Sequence, residues 1–131
     1  MINDEIKIAL AQCKIPERQI LEYNFEDIAY IQKEDCGVYV IHQDQRPIYV
    51  GKGKVKKRNI SHWMKTNGRV KEKGWKYLLD NKQTLGIDFD KFKISYVSLR
   101  EKKQETAVEG LLILNLDPLA NSESFFDKFN R

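Results

Sequence analysis

Apolar and polar positions alternate in three stretches of this chain and recur every three or four residues in several others. Those two periods sort most of it into strands and helices. Gly37-Val-Tyr-Val-Ile41 and Ile48-Tyr-Val50 flank a polar turn at Gln43-Asp-Gln-Arg46, the pattern of a β-hairpin. In the first strand Gly37, Tyr39 and Ile41 share a face, and Val38, Val40 and His42 share the other. In the second, Pro47, Tyr49 and Gly51 share a face, opposite Ile48 and Val50. Each strand therefore sets one tyrosine on a face that also carries glycine, where another group has room to approach. Phe92-Lys-Ile-Ser-Tyr96 alternates as a third strand.

The helical period appears first over residues 2–14, where Ile2, Ile6, Ala9 and Leu10 are spaced for one face and Asn3 or Asp4 supplies a cap. Pro16 ends that helix or starts another, with Ile20, Leu21 and Tyr23 as its apolar side. Residues 25–35 mix apolar and acidic positions and predict no element. The first 35 residues thus form a helical extension, an added layer or a partner surface. A helix is predicted from Lys54 to about Thr66, ended near Asn67-Gly68, with Val55, Ile60, Trp63 and Met64 as its apolar stripe. Arg58 and His62, four apart, lie on one face of it. A shorter helix around Gly74 to Asn81 carries Trp75, Leu78 and Leu79, and residues 82–91 form a loop. The strongest helix spans 100–116, with Ala107, Val108, Leu111, Leu112 and Leu114 buried and Pro118 confirming its end. Asp117 to Ser122 is a turn, after which Phe125, Phe126 and Phe129 pack the tail down.

Composition sharpens this picture in a few places. With 131 residues, 41% of them hydrophobic, the chain has enough for one core: a domain over 36–131 behind the extension 1–35. The net charge of +4 is modest. Its distribution is not, since Lys52 to Lys76 is dense in Lys and Arg with one acid, Glu72. Such a cluster is the footprint of a polyanion partner, although a solvated lysine-rich face is the commoner origin of a charge run. Cys13 and Cys36 stand far apart with no metal-ligand spacing and no disulfide framework. The early acids leave no apolar signal core, and the longest apolar run, Leu111 to Leu116, is interrupted by Asn115 and too short to cross a bilayer. A soluble, reduced, cytoplasmic protein without membrane contact is expected.

The chemistry-bearing residues are individually unspecific. Gly51-Lys-Gly-Lys after a strand is neither GxxxxGK[ST] nor GxGxxG, so it is no nucleotide loop; it reads either as a backbone that a nucleic-acid phosphate approaches with Lys52 alongside or as a simple turn that needs glycine. Glu101, Glu105 and Glu109 form a stripe that is usually a solvated helix face. That stripe continues into Ile113, which makes Glu109 the one expected to be half-buried, beside Gly110, and a half-buried carboxylate needs a cation. Tyr39 and Tyr49 are by default strand aromatics, His62 a satisfied histidine and Asn121 a turn residue.

Taken together these residues resemble the GIY-YIG nuclease family. GVY at 37–39, YVG at 49–51, Arg58 with His62 four later, and Glu109 followed by Pro118 and Asn121 match in order and spacing over residues 36–122. Valine replaces isoleucine in both name motifs, which changes packing and not chemistry. The resemblance implies an α+β fold, a small central antiparallel sheet of three strands flanked by helices. It implies a metal-dependent DNA endonuclease using one Mg²⁺ (or Mn²⁺) held by Glu109. Arg58 would neutralise phosphoryl oxygens, Tyr49 would sit near the attacking water, and Tyr39 would orient the water or the phosphate. His62 would bond a tyrosine or take the proton, and Asn121 would brace the site. Lys52 and Arg58 would make a tyrosine usable as a base, and Lys52, Lys54, Lys56, Lys57 and Lys65 would hold DNA. A homodimer or an accessory DNA-recognition protein would complete target choice. The competing functions are a nucleic-acid-binding module of the same fold that does not cut, and a protein-interaction domain with a basic face.

Overall fold

The computed structural model describes residues 1–66 and 73–121. The expected tail packing of Phe125, Phe126 and Phe129, and part of the basic run, lie outside them. The fold is α+β, built on an antiparallel sheet of four strands in the order β1-β4-β2-β3, with β1 over Ile20–Asn24, β2 over Cys36–Gln43, β3 over Arg46–Lys54 and β4 over Phe92–Ser98.

The fourth strand corrects two expectations, the three-stranded sheet and the helix proposed after Pro16. Ile20, Leu21 and Tyr23 lie in β1, which pairs with β4 from Ile20 opposite Val97 to Asn24 opposite Lys93. A five-residue stretch with three apolar positions fits either period; the open edge of β4 decides it by offering the backbone a ladder. Residues 25–30, unassigned by pattern, form a 3₁₀ turn that buries Phe25 and Ile28.

The hairpin is tighter and longer than its apolar runs suggest. Its strands leave Asp44 and Gln45 as the connection, with Asp44 at φ 53°. A bulge lets Ile41 pair with Tyr49 and His42 with Pro47, so Ile48 is the extra residue. Ile48 consequently joins the core on the tyrosine side instead of sharing a face with Val50. Gly51-Lys-Gly-Lys is not a loop: it is the end of β3, and helix α2 (Val55–Lys65) follows without a break.

Both faces of the sheet are covered. Helix α1 (Ile2–Gln12) and helix α5 (Lys102–Leu116) cover one, packing Ile6, Leu10, Val108 and Leu112 on Val38, Val40, Val50 and Val97. Ile2, Ile6, Ala9 and Leu10 are buried as their spacing predicts. On the other face Tyr39, Ile41, Ile94 and Tyr96 pack beneath the 3₁₀ turn, α2 and helix α3 (Lys73–Asp80), which contributes Trp75 and Leu78. The segment 82–91, expected as a loop, holds the short helix α4 (Lys82–Leu85) and a 3₁₀ turn at Phe89–Lys91.

Two apolar stripes differ from expectation. In α5, Val108 and Leu112 are buried, but Ala107 is exposed and Leu114 is 70% exposed. In α2, Val55 is buried together with the polar Asn59 and His62, while Ile60, Trp63 and Met64 point outward at 41, 47 and 60% exposure. The core-facing side of α2 thus carries Val55, Asn59 and His62, with His62 bonded to Tyr39, while Ile60, Trp63 and Met64 face solvent.

Candidate active site

β3 is an edge strand, and Tyr39, Tyr49, Arg58, His62 and Asn121 gather around it. Tyr39 on β2 lies across from Gly51 on β3. A Cβ at Gly51 would fall 2.3 Å from the Tyr39 hydroxyl oxygen, so glycine is what admits that hydroxyl. The Tyr39 Oη lies 2.8 Å from His62 Nε2 on α2, in a buried contact. Tyr49 lies beside both, stacked with Tyr39 at a centroid distance of 6.2 Å and tilted against His62 at 4.5 Å. Arg58, one turn before His62, lies over Gly53, whose φ of +110° is glycine territory; its Nε would be 3.4 Å from a Cβ there. Tyr39 is 1% exposed, whereas Tyr49 is half-buried and Arg58 exposed. The pair Tyr39–His62 is the floor of this site, and Tyr49 with Arg58 forms its mouth.

The protonation of His62 follows from its neighbours. Burial, then the nearby Lys65 and Arg58 cations, push it down to about 3, so the ring is neutral at physiological pH. Lys65 Nζ lies 3.2 Å from His62 Nδ1. A charged lysine has only protons to give, so Nδ1 accepts and the ring's single proton sits on Nε2. His62 therefore donates to Tyr39 Oη. Trp75 of α3 closes over the imidazole, 5.1 Å away and within 19° of parallel, and fixes its plane.

Asn121 braces the strand. Its Oδ1 accepts from Val50 N at 2.6 Å and its Nδ2 donates to Val50 O at 3.0 Å, giving the free edge of β3 the partner a fifth strand would supply. Glu109 is half-buried on α5, which packs along β3 on the face of the sheet opposite the tyrosines. Lys52 Nζ donates to Thr106 Oγ1 at 2.7 Å, tying β3 to α5 one turn before Glu109. The Lys52 ammonium is thus directed to the α5 side of the sheet, away from the tyrosines it was expected to assist. Glu105, not Glu109, is the most enclosed acid of the glutamate stripe, at 7% exposure. Lys54 at the end of β3 and Lys56 and Lys57 on α2 line a separate cleft with Lys33 and Ile60, so their side chains are drawn together there and not with the tyrosines.

Among the described residues no group of three or more His, Cys, Asp or Glu is arranged to hold a metal. One half-buried carboxylate, that of Glu109, fits Mg²⁺, which keeps several waters and takes one or two carboxylates plus substrate phosphate oxygens. It would not fit an ion caged by protein alone.

One participant escaped the sequence pattern: Trp75 looked like a core residue, and nothing along the chain signals that it converges on His62. Lys65, expected to hold DNA, lies against His62 Nδ1. The other histidine heads a separate network: His42 Nδ1 donates to Asp44 O at 2.7 Å, and Nε2 accepts from Ser95 Oγ at 2.8 Å. Although serine next to histidine suggests a nucleophile, Ser95 is 0% and His42 2% exposed, sealed from any substrate. This network secures the hairpin turn.

No helix of the described residues is long and apolar enough to cross a membrane. Comparison with protein-family models, curated proteins and solved structures finds no match.

Proposed function

We propose that this chain is a metal-dependent endonuclease that hydrolyses DNA phosphodiester bonds. The observation that carries this reading is the Tyr39–His62 contact at 2.8 Å behind Tyr49 at the edge of β3, with Arg58 at the mouth. A binding surface needs no buried tyrosine–histidine pair of fixed tautomer; a site that moves protons does.

A scissile phosphate lies against Tyr49 and Arg58. Arg58 takes its non-bridging oxygens in a charge-assisted contact that strengthens as negative charge builds. Tyr49, the tyrosine with access to solvent, contacts the attacking water. Tyr39 and His62 stay behind it: His62 Nε2–H holds the Tyr39 hydroxyl oxygen, and the two rings hold Tyr49 in place. Glu109 is the residue that would hold Mg²⁺ or Mn²⁺, which when bound supplies charge stabilisation at the leaving oxygen. Asn121 keeps β3 in register beneath these groups. One such centre nicks one strand, so cutting both calls for a second copy or a second binding event.

A nicking assay on supercoiled plasmid with Mg²⁺ or Mn²⁺ tests this. Nicked circles are expected from the wild type. Glu109→Ala should abolish them while DNA retention persists, and Tyr49→Phe should slow them by about 10²-fold or more. Full activity in Glu109→Ala would sink the metal assignment. Salt-sensitive DNA retention without cutting under either metal would instead favour the non-cleaving module.

A further inference from the structure

Helix α2 has two working flanks. Arg58, His62 and Lys65 turn toward the tyrosines. On its outer side, Ile60, Trp63 and Met64 are exposed, an unusual concentration of large apolar side chains on one short helix. This outer face adjoins a cleft of about 410 Å³ lined by Lys33, Lys54, Lys56, Lys57 and Ile60. The lysines come from three places: the loop before β2, the last residue of β3 and the first turn of α2. No acid lies in that first turn, and none of the four lysines enters an ion pair among the described residues. Four like charges held around one cleft repel each other, and an anionic ligand removes that penalty.

The apolar residues narrow the anion. Ile60 lines the cleft, and Trp63 and Met64 follow it by three and four residues, so they are its neighbours on the helix surface. Phosphates spaced along a chain, with flat apolar groups between them, match lysines beside an exposed indole. A duplex presents phosphates but keeps its bases stacked inside. An unpaired strand presents both.

We propose that the outer face of α2 binds an unpaired stretch of polynucleotide, with phosphates on the lysine cleft and a base stacked on Trp63. This deepens the nuclease reading and rests on it only in assuming a nucleic-acid partner. The substrate class becomes DNA with a single-stranded portion next to the strand that is cut.

The two tryptophans make the test direct. Trp63 is 47% exposed and Trp75 is 0% exposed, so a change in fluorescence on adding ligand reports Trp63. Titration with oligo-dT should quench the emission, while a duplex of equal length should not. Trp63→Phe should lose the quench, Trp63→Ala should bind oligo-dT about tenfold more weakly, as removal of one stacked base does, and Lys33→Ala should reduce the salt dependence of oligo-dT binding. Equal oligo-dT affinity in Trp63→Ala, or equal quenching by a poly-glutamate peptide, overturns the proposal. If plasmid is nicked yet oligo-dT leaves Trp63 silent, this inference falls and the nuclease stands. If oligo-dT quenches but no plasmid is nicked, the reverse holds, and failure of both assays removes both.

Discussion

The absence of a side chain at Gly51 matters as much as the tyrosines it separates. The Tyr39 hydroxyl occupies the volume a Cβ would take, with the Tyr39 Cζ at 2.4 Å and a Tyr49 ring carbon at 2.9 Å from that position. Tyr39 is buried and bonded to His62, so it has little freedom to retreat. Gly51→Ala should therefore break the 2.8 Å contact before it breaks the fold. The expected loss of stability is about 1–3 kcal/mol, the usual range for overpacking. Cleavage should fall much further, by a factor on the order of 10² or more, as when a positioned proton-handling group is lost. Urea melts and nicking rates on the same preparation check this; a variant with wild-type cleavage would show that Tyr39 and His62 need not touch.

At the level of elements, β3 is exposed to the risk every edge strand carries, and the chain meets it with one side chain. Asn121 satisfies both backbone groups of Val50 from a position 71 residues away. Asn121→Ala leaves that N–H and C=O without these bonds, so a loss of about 1–3 kcal/mol is expected, with nicking reduced because Tyr49 and Gly51 flank Val50. Asn121→Asp is the sharper comparison: it keeps the acceptor for Val50 N and loses the donor to Val50 O, and thermal melts should rank it between wild type and alanine. That such a brace existed was legible only as a spacing, Pro118 then Asn121 after a long helix; what it braces was not. The hairpin and β4 could be read from their alternation, and α5 from its length and the Pro118 that ends it, although its buried face could not, since Ala107 and Leu114 are exposed. β1 could not, since Ile20, Leu21 and Tyr23 become a strand only through the open edge of β4. The inner face of α2 was misread for a related reason. Hydrophobicity pointed to Ile60, Trp63 and Met64, but hydrogen bonding to Tyr39 draws His62 inward, and a helix cannot bury both sides. Trp75 was invisible as a site residue because its role depends on where α3 meets His62, and Lys65 was legible as a cation for DNA but not as a neighbour of His62 Nδ1.

The whole molecule seals its two histidines on opposite faces of one sheet, His62 above the tyrosines and His42 against Ser95. Burial lowers both below the ordinary value of 6.5, His62 to about 3. The unfolded chain therefore takes up protons at higher pH than the native state does. The stabilising effect is complete above about pH 6.5 and is lost as pH falls from there toward 3. For His62 alone the loss is about 3 kcal/mol by pH 4, a large share of the stability of a domain this size. Urea unfolding of the wild type should show stability dropping through this window. His62→Gln should start lower at pH 7, having lost its ring contacts, yet fall less steeply between pH 6.5 and 4; parallel slopes for the two proteins would refute the linkage. The window also connects stability to binding. Lys65 and Arg58 help to keep His62 neutral, so an anion that neutralises them makes protonation easier. If a phosphate sits at Arg58 as proposed, adding a short uncleaved oligonucleotide should make the His62 ring titrate at higher pH. An NMR titration of the imidazole with and without the oligonucleotide measures this, and an unchanged midpoint would place the phosphate elsewhere.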